Sequence, residues 1–234
     1  MSENIKYRHE LKYKCSIAQL ENIKQRISTI MPLDKHITSG ESYCIRSLYF
    51  DNYSNKCFYE NENGTDPREK FRIRIYNADK SRISLECKRK ERGKTYKTSC
   101  LITEEQFNMI INGCNFTDFA HFPQLLRKFM YLIKTQLYKP VVIVEYDRIP
   151  YVYKIGNVRI TLDTNIRSSV DIKNFFDPDL QTRPVLATGQ HLLEVKYDEL
   201  LPDHIKAVMQ FDSLQQTTFS KYYLCRKFTT RGVL

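Results

Sequence analysis

The sequence predicts an α+β fold built on a large, mostly antiparallel sheet. Three observations carry that prediction. Segments alternating apolar and polar residues with period two recur along the chain, amphipathic helix candidates lie between them, and the polar strand positions are mainly charged. With 234 residues, 41% of them hydrophobic, the chain can bury a sizeable core and is short enough to form one domain over residues 1–234.

Taken in order, the first strand candidate covers residues 5–14. Ser16 then opens a helix, with Gln19 in the capping-box position and Ile17, Leu20, Ile23, Ile27 and Ile30 at helical spacing. Strand candidates follow at 43–50, 70–77, 82–90 and 94–101, with Asn61 to Pro67 read as a loop. Thr103 with Gln106 opens a second helix, and residues 123–138 repeat Leu126, Phe129, Met130, Ile133 and Leu137 at helical spacing. Strands at 141–153, 157–164 and 191–198 come next; the loop at 173–190 is marked by Asp177-Pro178 and Arg183-Pro184. Short helices are expected at 203–210 and 220–228.

Side chains alternate across a strand, so Arg8, Glu10, Lys12 and Lys14 share one face of the first segment, and Tyr7, His9, Leu11 and Tyr13 the other. Arg72 and Arg74 likewise oppose Phe71, Ile73 and Ile75, and Glu86, Lys88 and Lys90 oppose Leu85 and Cys87. Arg159 with Asp163, then Glu194 with Lys196, repeat the split. A sheet with one face on a core and the other in water alternates in this way. A barrel with its polar face inward does so too, and two features favour it: several strands carry multiple cations plus a Glu, and there are enough helices to cover an apolar outside. Cations converging inside such a barrel repel one another unless an anion lies between them.

Lys and Arg number 37 against 27 Asp and Glu, a formal charge of +10. That balance favours anionic partners: phosphates, nucleic acid or acidic membranes. The seven cysteines, Cys15, Cys44, Cys57, Cys87, Cys100, Cys114 and Cys225, are odd in number and form no C-x-x-C pair, which fits reduced cytosolic thiols. The opening MSENIKYRHELKYK has charges where a signal peptide has its apolar core, and no stretch approaches the ~20 apolar residues of a membrane span. A soluble, cytoplasmic protein is expected, and an exported membrane barrel is discounted. Gly93-Lys94-Thr95 ends like a phosphate-binding P-loop, but the first Gly of that pattern falls on Lys88. His9, His36, His121, His191 and His204 show no metal-ligand spacing, and no serine sits in a G-x-S-x-G elbow.

The strand-borne charges form an ordered set: RHELKY, IRSLYFD, FRIRIY, LECKRK, VVIVEYDR, VRITLDT, LLEVKYD and FSKYY, from residue 8 to residue 223. Together they resemble the VTC (vacuolar transporter chaperone) domain, a branch of the triphosphate tunnel metalloenzymes, over about residues 4–228. The resemblance implies a closed, eight-stranded antiparallel β-barrel, a tunnel with a basic lumen, covered outside by helices. It implies a site dependent on Mn2+ or Mg2+ and, in the polymerase branch, synthesis of inorganic polyphosphate from ATP. By motif, Lys12, Arg72, Arg74, Lys88, Arg148, Lys196 and Lys221 would contact phosphates, with Lys97 a further contact. Glu194 and Glu10 would hold the metal, and Arg159 and Asp163 would line the tunnel. Where the wider superfamily opens with E-x-E-x-K, this chain has Arg8 in the first position and keeps Glu10 and Lys12. That departure weakens a two-metal hydrolase reading. Eukaryotic relatives add a regulatory domain and membrane helices, so a free-standing catalytic domain is expected, with a membrane partner left open.

These residue types suit phosphoryl transfer, which asks the protein to position two polyanions and neutralise their charge. Arg72 and Arg74 offer planar forks to phosphate oxygens, while Lys12, Lys88 and Lys196 are compact point charges. Glu194 suits a hard divalent ion bridging carboxylate and phosphate; its plain alternative is a salt bridge to a neighbouring lysine. In this reading the γ-phosphate of ATP is attacked by a terminal phosphate oxygen of a growing chain. Two alternatives stand beside it: a triphosphatase, in which water attacks, and a non-catalytic polyphosphate or nucleic-acid module, suggested by the basic charge and by 16 Tyr and 13 Phe. Most of those aromatics are expected in the core, and nucleic acid is not the expected partner.

Overall fold

The computed structural model describes residues 7–35, 37, 42–113, 120–209 and 214–231. It is an α+β fold with strands β1 (His9–Ser16), β2 (Tyr43–Asp51), β3 (Arg68–Tyr76), β4 (Asp79–Glu91), β5 (Lys94–Ile102), β6 (Lys139–Tyr153), β7 (Val158–Ser169), β8 (Arg183–Pro184) and β9 (Gln190–Tyr197). Its helices are α1 (Ile17–Ser28), α2 (Lys56–Glu62), α3 (Glu104–Asn112), α4 (Gln124–Gln136), α5 (Asp203–Val208) and α6 (Lys221–Arg231). One antiparallel sheet runs β1-β9-β7-β6-β2-β3-β4-β5, with β8 paired to β7.

Local chemistry explains several element ends. Ser16 Oγ accepts from the Gln19 N–H while Gln19 Oε1 accepts from the Ser16 N–H at 2.8 Å, and Thr103 with Gln106 repeats this at α3. The β3–β4 hairpin turns on Asn77 and Ala78, both at positive φ (49° and 55°), and β4–β5 on Arg92 and Gly93 (50° and 74°). Such turns match the twist of the strands and let β4 run three residues beyond its expected start. Asn165, at φ 50°, carries β7 past a register shift against β6 and on beyond its expected end at residue 164.

The outer face of the sheet packs on helices in two apolar clusters. Leu20, Ile23 and Ile27 of α1 and Ile205 of α5 pack with Ile160, Leu162, Leu193 and Val195. Phe107 and Ile110 of α3 and Leu126, Phe129 and Met130 of α4 pack with Phe71, Ile73 and Leu85. Two residues expected on these apolar stripes are exposed: Ile17, in the first turn of α1, and Leu137, which ends α4 in the left-handed region at φ 53°.

Helix α2 was not expected, and it absorbs Asn61 and Glu62 from the anticipated loop. No apolar period marks it; the Asp51 carboxylate holds its first turn by accepting the N–H groups of Cys57 (2.8 Å) and Phe58 (3.1 Å). In the 173–190 loop, β8 adds a two-residue pairing to β7.

The expectation of a closed barrel is met only in its coarser form, a curled antiparallel sheet. The two ends of the strand path meet at one residue pair, where Arg8 and Thr95 exchange backbone hydrogen bonds of 3.0 and 3.2 Å. Beyond that pair, the segment before α6 lies along β1, the Thr217 N–H donating to the Lys12 carbonyl at 2.9 Å. Residues 5 and 6 of the first strand candidate, residue 210 of the late helix candidate, His36 and Cys114 lie outside the described residues. The described cysteines are free, and among the described residues no helix is long and apolar enough to cross a membrane.

Candidate active site

Directly opposed residues of antiparallel strands point to the same face, and the register therefore assembles the charges expected from the sequence. Glu10 lies opposite Lys196 and Lys12 opposite Glu194; Arg159 and Thr161 lie opposite Lys196 and Glu194 from the other side. Arg148 faces Asp163, Arg72 faces Tyr49 and Glu86, and Arg74 faces Ser47. Lys88 is flanked by Lys70 and Lys97. This charged face is concave: Lys88 on β4 donates to both Glu10 oxygens on β1, at 2.7 and 2.9 Å, although other strands separate β4 and β1 along the sheet.

Two groups of charges form. In the first, Lys12 Nζ lies 2.9 Å from Glu10 and 3.7 Å from Glu194, and Lys196 Nζ donates to Glu194 at 3.0 Å. Arg148 grips Asp163 in a two-pronged pair (2.6 and 2.7 Å) and reaches Glu194 at 3.3 Å, while Lys221 from α6 meets Asp163 at 2.6 Å. In the second group, Glu86 is the hub: Arg72 lies at 2.6 Å, Lys97 at 3.0 Å and Arg74 at 3.9 Å. Tyr49 and Ser47 accept from Arg72 (2.8 Å) and Arg74 (3.1 Å). Tyr146 joins the groups, its hydroxyl accepting from Arg74 at 3.3 Å while Lys221 stands 4.6 Å from its ring centre.

The electrostatics follow from burial set against neighbours. Burial pushes the Glu194 carboxyl up, but the charges of Lys196, Lys221 and Lys12 outweigh it and hold the group well below the usual carboxylate range. Glu10 is also held low, burial and the Glu194 charge being overcome by Lys88 and Lys12. Burial together with Lys12 and Lys196 brings Lys88 down to about 8 despite its pairing with Glu10. Glu86 is held low as well, the pull of Arg72, Arg74 and Lys97 exceeding the cost of burial. The repulsion expected among converging cations is thus relieved by Glu10, Glu86, Asp163 and Glu194, which the basic residues around them outnumber.

The sequence-expected residues Glu10, Lys12, Arg72, Arg74, Lys88, Lys97, Arg148, Asp163, Glu194, Lys196 and Lys221 all come together on this face. Arg159 stands apart from both groups, pairing with Asp34 at 2.8 Å and with Tyr43 at 3.2 Å. The plain alternative for Glu194 is realised too, in its bridge to Lys196. Arg8, standing where a further carboxylate opens the superfamily motif, instead pairs with Asp198 at 3.0 Å and the Asn157 carbonyl. Sequence reasoning missed Ser47, Tyr49, Lys70 and Tyr146 and the hub role of Glu86. Alternation could have found Lys70 and Tyr146, each two residues from a named arginine; Ser47 and Tyr49 carry no charge, and only register reveals them.

Among the described residues, no group of three or more His, Cys, Asp or Glu side chains is arranged to hold a metal. The donors present still fit a hard divalent ion that shares its shell with substrate oxygens. Glu10 and Glu194 interact through their carboxyl groups, and Thr161, opposite Glu194, is 1% exposed, its hydroxyl without a hydrogen-bond partner among the described residues.

The VTC domain family matches residues 7–229. No curated protein matches this chain. Among solved structures, an adenylyl cyclase candidate from Hippeastrum with a dominant triphosphatase activity is 12% identical, with a TM-score of 0.57, covering 95% of this chain and 96% of that one. An adenylate cyclase candidate from Bacillus halodurans is 16% identical (TM-score 0.49, covering 91% and 95%), and the Mimivirus capping-enzyme triphosphatase is 9% identical (TM-score 0.43, covering 89% and 91%). The first of these shows a shared fold. With a family match that spans nearly its whole length, this chain belongs to the VTC domain family.

Proposed function

We propose that this chain is a metal-dependent phosphoryl transferase that binds ATP and polyphosphate on its concave basic face and extends inorganic polyphosphate with release of ADP. The observation that carries the reading is the in-register convergence of Lys12, Lys88, Lys196 and Arg148 on the Glu10–Glu194 pair, beside Arg72 and Arg74. Family membership and the fold shared with the Hippeastrum triphosphatase point to the same class of chemistry.

In this proposal the curled sheet acts as a tunnel. Arg72, Arg74 and Lys97 exchange part of their contact with Glu86 for the triphosphate, and Lys88, Lys12 and Lys196 neutralise the phosphates beside them. A terminal oxygen of the phosphate chain forms the new P–O bond at the γ-phosphorus as the β–γ bridge breaks and leaves with ADP. Glu10 and Glu194 would hold Mn2+ or Mg2+, which when bound supplies further neutralisation of phosphate oxygens. The free thiols suit a reducing, cytoplasmic setting.

The test is incubation of purified protein with ATP and Mn2+, followed by gel analysis for long-chain polyphosphate. Glu194→Gln and a metal-free reaction stand beside it. Polymer that disappears in both controls is the expected result. Orthophosphate without polymer would make the chain a triphosphatase, and neither product would reduce it to a binding module.

A further inference from the structure

Across β3, β4 and β5 the register sets three lysines in one row: Lys70 opposite Lys88, and Lys88 opposite Lys97. Like charges directly opposed on a sheet destabilise it unless each finds a counter-charge. Lys97 has Glu86 and Lys88 has Glu10. Lys70 reaches no carboxylate among the described residues. Its ammonium donates to two neutral acceptors, Asn61 Oδ1 at 2.5 Å and Ser220 Oγ at 3.3 Å, and stands 5.1 Å from the centre of the Tyr222 ring. Two residues further along the strands, on the same face, a second like pair stands beside this row, Arg68 opposite Lys90. This end of the concave face is short of negative charge.

We infer that Lys70, with the Ser220 hydroxyl and the Asn61 side chain, forms a further phosphate subsite that carries the phosphate track beyond Arg72 and Lys88. The inference rests on the phosphate-binding reading of the concave face and extends it to a residue outside the family motif positions named above. Ser220 can turn its hydroxyl proton toward a phosphate oxygen, and Asn61 can offer its amide N–H groups in the same way. Phosphate would supply the counter-charge that Lys88 and Lys97 already draw from carboxylates.

The groups facing Lys70 are Arg68 on its own strand, Lys88 on β4, Lys12 on β1, Cys57 and Glu60 on α2, and the Tyr222 ring on α6. Burial, with Arg68 and Lys88, brings its ammonium down to about 7, so at pH 8 much of it is neutral in the free protein. A phosphate settling against Lys70 restores its charge, and binding takes up a proton there.

The experiment is calorimetric titration with inorganic tripolyphosphate at pH 8, in two buffers of different ionisation enthalpy, on the wild type, Lys70→Met and Lys70→Arg. Thermal melts check that each variant is folded. The expected result is weaker binding by Lys70→Met, roughly ten- to hundredfold, the span of a charge-assisted hydrogen bond. Proton uptake should shrink in Lys70→Met, while Lys70→Arg should keep the affinity and also lose uptake, since a guanidinium is already charged. Wild-type affinity and wild-type proton uptake in folded Lys70→Met overturn the subsite and leave the wider phosphate site standing. No tripolyphosphate binding by the wild type overturns the phosphate-binding reading itself, and the subsite with it. Should Lys70→Met fail to fold, Lys70→Arg decides: proton uptake equal to that of the wild type refutes the assignment.

Discussion

In the proposed function Glu86 competes with phosphate for Arg72, Arg74 and Lys97, and Glu86→Gln tests that competition. The carboxylate is 2% exposed and lies 2.6 Å from Arg72, 3.0 Å from Lys97 and 3.9 Å from Arg74. Removing one partner of a buried ion pair costs about 3–5 kcal/mol. Gln keeps the volume and one acceptor oxygen, and Lys97 is half exposed and screened by water, so about 2–3 kcal/mol is expected here. At about 2–4 °C per kcal/mol for a chain of this size, the variant should melt roughly 4–12 °C lower. Tripolyphosphate at a hundred times its Kd stabilises the folded state by about 2.7 kcal/mol. Because Arg72, Arg74 and Lys97 no longer have a carboxylate to leave, the same ligand concentration should raise the melting temperature of Glu86→Gln more than that of the wild type. Differential scanning fluorimetry with and without tripolyphosphate measures both effects. A variant that melts with the wild type, or whose ligand-induced shift is no larger, refutes the competition between Glu86 and phosphate.

Two further outcomes follow from the buried polar groups. Lys70 has a folded-state value of about 7 against an ordinary 10.5, so between these limits the unfolded chain binds the extra proton and stability rises with pH; denaturant melts from pH 6.5 to 10 should show that rise flattened in Lys70→Met, and parallel curves for the two proteins would disprove the assignment. Asp51 is fully buried and accepts from Tyr222 Oη at 2.6 Å as well as from the first turn of α2, so Asp51→Asn should lose about 2–3 kcal/mol and Tyr222→Phe about 1–2 kcal/mol in urea unfolding; losses below about 0.5 kcal/mol in both would show that the bond does not tie α6 to the sheet.

Most of the fold was legible because strands and helices advertise their periods. The capping boxes at Ser16 and Thr103 and the alternation in HELKYK and FRIRIY each rest on local geometry, which adjacent residues determine. Helix α2 was illegible because its stability comes from Asp51, several residues earlier and fully buried, and not from a stripe of its own. Within the site, the cations were legible one strand at a time. Their partners were not, because pairing a residue on β4 with one on β1 depends on how the sheet curls, and no local period encodes that.

By itself, then, the sequence determined the kinds of element, the side of each strand that bears charge, and the excess of cations, all consequences of side-chain chemistry at period two or near 3.6. Tertiary structure alone decided which carboxylate answers which cation. Lys97 and Lys88 found Glu86 and Glu10, while Lys70, in the same row, was left with Asn61 and Ser220. The physical reason is the steep distance dependence of charge pairing in a buried site: a one-residue change of register moves a side chain to the opposite face and removes the partner altogether.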